Sequence, residues 1–194
     1  MPIFSATDKT FEKADFENSP MQKGEYENCI FNNIDFQQSD ISGNIFVDCH
    51  FINCNLSLAK LVETVFRDTR FSGCKMMGLV FGDCNEFGLA FSFDHCVLDH
   101  SSFFRTKIRK TVFIVCQLHG TDFTACDLTG AVFERCDLAD AKFENSILEK
   151  TDFRTSYNYS IDPEINKIKK AKFALPAVTG LLSKYDIEID LKAI

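Results

Sequence analysis

The chain has 194 residues, the length of a single domain, and its 45% hydrophobic and 25% charged content excludes a wholly disordered polypeptide. Its 28 acids against 21 bases, a formal charge of -7, exclude a general nucleic-acid binder, which needs clustered cations, and suit a cationic partner. No stretch approaches the roughly 18 uninterrupted apolar residues of a membrane helix, and Met1 to Thr10 lacks the basic-then-apolar layout of a secretory signal, so the expected location is the cytoplasm.

Residues 1–10 read as a lead or cap, and from Phe11 the sequence keeps a period of five. Every fifth residue from Phe11 to Phe91 is apolar at 16 of 17 positions, with Glu86 the departure. The residue two before each centre is small: Ala14, Ser19, Gly24, Cys29, Cys49, Cys54, Thr64, Thr69 and Cys74 are examples. In an extended segment a centre and the residue two before it point the same way. Five is odd, however, so a straight strand would send the next centre outward. Keeping every centre inside requires the chain to turn once per pentad. A helix fails, because a step of five rotates an apolar stripe by about 140° each time. The period therefore predicts an all-β solenoid, stabilised by coil stacking on coil.

Between about residues 82 and 97 the phase slips by two. The segment from Gly82 to Phe93 is expected to bulge or loop out of the repeat, as insertions and β-bulges do. A second comb then runs through Leu98, Phe103, Ile108, Phe113, Leu118, Phe123, Leu128, Phe133, Leu138, Phe143, Leu148 and Phe153, all 12 apolar. All nine cysteines of the chain fall two before a centre, Cys96, Cys116, Cys126 and Cys136 among them. The spacing of five between Cys49 and Cys54 is wrong for a structural zinc site, and the nine thiols read as small buried hydrophobes.

The texture changes after the repeat, so residues 156–194 form a predicted cap. Asp162 then Pro163 reads as an N-cap with a first-turn proline, and Lys167, Lys169, Lys170 and Lys172 suit the C-terminal end of a helix over residues 163–173. A second short helix is expected over 177–184, followed by a terminal strand over 185–191, where Ile187 and Ile189 alternate with charges.

Six triplets, Ala14-Asp15-Phe16, Cys54-Asn55-Leu56, Thr121-Asp122-Phe123, Cys126-Asp127-Leu128, Cys136-Asp137-Leu138 and Thr151-Asp152-Phe153, carry a resemblance to the pentapeptide-repeat family over residues 11–155. The resemblance implies a right-handed quadrilateral β-helix with 20 residues per coil and a small C-terminal helical cap. Some seven coils at roughly 4.8 Å make a rod about 35 Å long. With that coil length Cys96, Cys116 and Cys136 stack, as do Cys29 with Cys49 and Cys54 with Cys74, and Phe113, Phe123, Phe133 and Phe143 are core rings. His100 and His119 then share a face near Asp99 and Asp140.

No phosphate-cradling loop, nucleophile elbow or calcium nonapeptide is present, and a filled rod has flat or convex walls. The expectation is a protein that is not an enzyme and has no cofactor and no metal. Function then lies on outward positions. Acids and bases number 10 and 4 over residues 1–66, 5 and 7 over 67–118, and 8 and 4 over 119–160, so two acidic ends flank a basic waist. Resemblance to the quinolone-resistance (Qnr) branch implies a DNA mimic that docks on gyrase or topoisomerase IV, with Asp122, Asp127, Asp137, Asp140 and Asp152 as candidate phosphate-like groups and Asp15, Asp35 and Asp40 on the early coils. It also implies a homodimer through the C-terminal region. An Asp just before a centre has another use, accepting hydrogen bonds from turn amides. The alternative function is a general protein-binding scaffold, for which Phe104, Val112, Ile114 and Val115, with Ile45 and Val47, supply outward apolar groups.

Overall fold

The computed structural model describes residues 4–16, 20–185 and 187–190. In it the period of five becomes a corner. Among the described residues 21 non-glycine positions take positive φ, nearly all of them two residues after an inward centre. Asn and Asp tolerate this left-handed region, whereas Leu58 (φ 59°) and the β-branched Val115 (φ 50°) pay a steric penalty of about 1–2 kcal/mol each. Stacking offsets it. The Leu58 amide donates to the Met77 carbonyl at 2.9 Å and the Val115 amide to the Glu134 carbonyl at 2.8 Å, both one coil on.

Four corners per coil make four walls, centred in one coil on Phe31, Phe36, Ile41 and Phe46. The strands are short: β1 (Phe4–Thr7), β2 (Thr10–Glu12), β3 (Gly24–Glu27), β4 (Ile30–Asn32), β5 (Ile45–Val47), β6 (His50–Ile52), β7 (Val65–Arg67), β8 (Thr69–Ser72), β9 (Phe91–Asp94), β10 (Val112–Ile114) and β11 (Val132–Glu134). All pair in parallel, as a seven-stranded first wall in the order β11-β10-β9-β8-β6-β4-β2 and a four-stranded fourth wall in the order β1-β3-β5-β7. Isolated parallel bridges such as Asp35 with Asn55 and Asp40 with Lys60 join the second and third walls. On the first wall Thr10, Ile30, His50, Arg70, Ser92, Val112, Val132, Asp152 and Lys172 form one continuous ladder. Its steps of roughly 4.8 Å make it about 38 Å long.

The interior is aromatic. Phe11, Phe31, Phe51, Phe71, Phe93, Phe113, Phe133, Phe153 and Phe173 stack in a single column, with centroid spacings from 4.6 to 5.5 Å. Facing it on the third wall, Phe81, Phe103, Phe123 and Phe143 stack at 4.3 to 5.1 Å. Rings on the two columns meet edge to face, as Phe113 and Phe123 do at 6.1 Å, so each gains quadrupole complementarity as well as burial.

The small positions do more than save space. Cys54, Cys74, Cys96 and Cys136 donate their thiols to the carbonyls of Phe31, Phe51, Phe71 and Phe113 in the coil before, at 3.3 to 3.4 Å. Thr121, Ser146 and Thr151 donate equivalently to Leu98, Phe123 and Leu128. Cys, Ser and Thr alternate at these sites because each is small and carries a donor for an inward carbonyl. The expectation of a merely hydrophobic thiol is thus incomplete. Burial pushes the Cys49 and Cys126 thiols up to about 12, which keeps them protonated and able to donate. All nine cysteines are free and buried, including the stacked Cys96, Cys116 and Cys136.

Three expectations need correction. The helix over 163–173 does not form. The Lys167 and Lys172 amides instead donate to the Ser146 and Thr151 carbonyls of the coil before, and Phe173 stacks on Phe153 at 5.5 Å. An open sheet edge with in-register partners outcompetes an isolated helix of some ten residues, which is marginal by itself. The solenoid therefore runs to about residue 173, and the cap is two 3-10 segments, Leu175–Leu181 and Ser183–Tyr185. The terminal strand is absent over 187–190; Asp186 and Leu191 lie outside the described residues, as do residues 1–3 and Ser19.

The phase slip does not interrupt the rod. The Asn85 amide still bonds the Thr64 carbonyl, and the Ala90 amide bonds the Phe66 carbonyl. The two extra residues are therefore confined to the loop between Asn85 and Ala90, on the fourth wall. Phe91, expected to be a centre, pairs instead with Thr69 at a small-residue position. Its buried ring fills the space left where Glu86 and Phe87 turn outward.

Candidate functional site

Residues preceding a centre point outward and are best placed to meet a partner. Of the candidate aspartates, Asp122, Asp127, Asp137 and Asp152 each accept a hydrogen bond from the backbone amide two residues on, at 2.9 to 3.2 Å. Asp35 and Asp40 do the same at 3.0 Å, and Asp15 caps the Glu12 amide at 2.8 Å. Asp140 is exposed at a corner, with φ 58°. All of these but Asp140 thus cap backbone amides.

Their charge is also locally countered. Asp127 is bonded by the Arg109 side chain at 2.7 Å. Asp152 takes a bidentate contact from Arg154, 2.8 to 3.2 Å, and a third from Lys172 at 3.3 Å. The guanidinium of Arg154 holds the Asp152 carboxyl down to about 2. His119 Nε2 lies 3.0 Å from Asp137 Oδ2, and its Nδ1 lies 3.7 Å from Asp99 Oδ2. The Asp137 carboxylate raises the affinity of the imidazole for its proton. Coil stacking itself sets cations beside acids: Asp40 with Lys60, Lys107 with Asp127, Asp122 with Lys142 and Asp152 with Lys172 are register partners. Among the described residues no outward column holds carboxylates in three successive coils.

The apolar candidates separate. Phe104 follows the third-wall centre Phe103, whereas Val112 and Ile114 flank Phe113 on the first wall. Ten residues are two sides of a four-sided coil, so neighbours in sequence stand on opposite faces. Val115 occupies the next corner and is half-buried, as are Ile45 and Val47 on the fourth wall.

A different set lies on the middle coils, with Val62, Val80 and Phe104 on the third wall, Leu58 at the corner before it, Met77 on the second wall and Phe87 on the fourth-wall loop. Leu58, Val62, Met77, Val80, Phe87 and Phe104 are all exposed. Val80 pairs with Ser102, two residues before Phe104, and Leu58 meets Met77 across one coil step. Phe104 is among the sequence candidates; for the others the signal is an outward position in the pentad register rather than a run of consecutive apolar residues. Phe87 is 74% exposed at the tip of the two-residue insertion, next to Gly88, whose φ of +75° lets the loop reverse. Beneath the loop lies a concavity of about 400 Å³ bordered by Glu63, Phe81, Leu89, Phe104, Arg105 and Lys107. The Arg105 guanidinium sits over the Phe104 ring, 4.8 Å from its centroid. Among the described residues no three His, Cys, Asp or Glu side chains are grouped to hold a metal ion, and no helix is long and apolar enough to cross a membrane.

These features define a class: a four-sided parallel β-solenoid with a filled bore and its variable chemistry on outward positions. Residues 87–157 match the family described as pentapeptide repeat region, and residues 27–57 and 45–83 match pentapeptide repeats. The chain belongs to the pentapeptide-repeat family. No curated protein matches its sequence. Among solved structures, two trypsin-treated variants of QnrB1, a plasmid-mediated fluoroquinolone resistance protein, are similar in fold. One has TM-score 0.60 and 15% identity, covering 97% of this chain and 100% of that one; the other has 0.61 and 14%, covering 97% and 98%. HetL, a pentapeptide repeat protein involved in heterocyst differentiation regulation from the cyanobacterium Nostoc, aligns at TM-score 0.47 and 11% identity over 88% of this chain and 84% of its own.

Proposed function

We propose that the protein is a non-catalytic, cytoplasmic rod that binds a protein partner through its middle coils. The observation that carries this reading is the set of exposed apolar groups Val62, Val80 and Phe104 on the third wall of successive middle coils, with Leu58 at the corner before it, since large outward apolar groups in one place mark contact surfaces. A photo-crosslinker placed at residue 104 captures the partner, and one at Glu149 does not. Val80→Asp abolishes the capture without lowering the unfolding midpoint. Equal capture from residue 149 overturns the reading.

A second reading, DNA-like docking on gyrase or topoisomerase IV, is favoured by the fold shared with the fluoroquinolone resistance protein QnrB1. The cations interleaved with Asp122, Asp127 and Asp152 weigh against it, because a phosphate-like surface needs carboxylates repeating without them. Gyrase supercoiling in the presence of a fluoroquinolone separates the two: relief of drug inhibition by micromolar protein at low salt supports mimicry, and no relief removes it. Exposed Leu175, Leu182, Tyr185, Ile187 and Ile189 support self-association at the C-terminal end. Light scattering of the full chain against one ending at Ala174 tests that contact.

A further inference from the structure

We propose that the concavity under the 85–90 loop is a binding site for a small planar aromatic carboxylate. This goes beyond a protein-binding role and does not depend on it. Shallow concavities occur on other walls too, between Asp48 and Arg109, around Arg135 and around Met77, but this one alone among them is lined by the exposed ring of Phe87 and by Phe104 beside two cations. Here the 85–90 loop borders a concavity of about 400 Å³, within the range of small-molecule sites, roughly 300–1,000 Å³.

The lining has a direction. Its floor is the buried ring of Phe81 with Leu89 beside it, and its sides carry the faces and edges of Phe87 and Phe104. Such a slot takes a flat ring, stacked or edge-on against aromatic walls. On the side towards the later coils stand Arg105 and Lys107, the former held over Phe104 at 4.8 Å. An arginine fixed in this way offers its fork of N–H donors to a carboxylate with little further loss of freedom. On the side towards the earlier coils Glu63 accepts from Asn85 Nδ2 at 3.0 Å, and Glu86 is exposed on the loop. Those acids repel an anion from one end of the slot, so the carboxylate of a ligand is oriented to Arg105 and Lys107 with its ring inward.

The test uses 2-naphthoate as probe and 2-naphthalenemethanol as its uncharged counterpart, each titrated into the isotopically labelled full chain at pH 7 and followed by amide chemical shifts. Saturable shifts confined to residues 81–90 and 103–107 are expected with naphthoate, and binding of the alcohol at least fivefold weaker. Arg105→Gln with Lys107→Gln should weaken naphthoate binding about tenfold and bring it level with the alcohol. Arg70→Gln, which alters the separate concavity on the other flank of the loop, should leave it unchanged. Non-saturable shifts, shifts spread over the rod, equal binding of acid and alcohol, or an unaltered affinity in the double variant would each overturn the proposal. All three proteins are first compared for their thermal midpoints, so that a loss of binding is not a loss of fold.

Discussion

The first and fourth walls meet the same insertion and respond differently. On the first wall the ladder passes from β8 to β9 without a gap, and the 22-residue step from Phe71 to Phe93 brings the rings to 5.4 Å, close to the 5.1 Å of the preceding 20-residue step. On the fourth wall the sheet ends at β7. Pairing resumes only as single bridges, beginning with Lys107 and Asp127. The interior holds to a repeat in space, while the count of residues between rungs is free to change wherever one wall can let go of its ladder. Conformity to the period builds the core, and departure from it sets the exposed ring of Phe87 beside a concavity.

The sharpest way to break this contrast is to delete a ring from each region. Phe113→Ala removes a ring stacked on both sides, on Phe93 and Phe133, and is expected to cost about 4 kcal/mol in urea unfolding. Phe66 stacks on Phe46 alone and meets Phe91 edge to face at 6.5 Å, so Phe66→Ala should cost less, about 3 kcal/mol. The reverse order would show that the seam, not the continuous column, is the more tightly packed region.

Next come the inward donors. Thr121→Val keeps shape but removes one of the two donors to the Leu98 carbonyl, which keeps the Ser101 amide, for an expected loss of about 1 kcal/mol. Cys136→Ser keeps a donor near the Phe113 carbonyl and should stay within about 1 kcal/mol of the parent. Equal losses in the two variants would mean that volume alone governs these sites. Deleting Phe87 and Gly88 together restores a 20-residue step. Circular dichroism should be unchanged and stability shifted by less than about 1 kcal/mol, as for other surface-loop changes, while naphthoate binding disappears.

The smallest effect concerns His119. Its proton affinity is raised in the fold by Asp137, so its contribution is fully present below the unfolded value of about 6.5 and is lost as pH rises through the higher folded value. For a ring this accessible to solvent the gain is below about 0.5 kcal/mol. At low salt, the parent should lose slightly more stability between pH 6 and pH 8 than His119→Gln does; identical losses would show that Asp137 exerts no pull.

Most of the fold was readable because the period of five forces one turn per pentad, with the four sides per coil supplied by the family resemblance, and the rings Phe113, Phe123, Phe133 and Phe143 sit inside as that winding demands. The last coil was not read. Asn158 and Pro163 fall where centres belong, and a cap-like Asp162 beside a lysine run imitates a helix; yet Ile168 and Phe173 stand 20 residues after Leu148 and Phe153, which was the signal available. The site was less legible. Val62, Val80 and Phe104 are far apart in the chain and become neighbours only once the coil length is known, whereas Phe104 and Ile114, near in the chain, are set apart by the same arithmetic.

Nine phenylalanines leaning on one another from Phe11 to Phe173 leave the rod without an internal line of fracture. A crack opened at either tip exposes one ring face of this column per coil, because the column passes the insertion unbroken. The molecule should therefore melt in a single event, and a coil spliced in or cut out elsewhere would change its reach far more than its character.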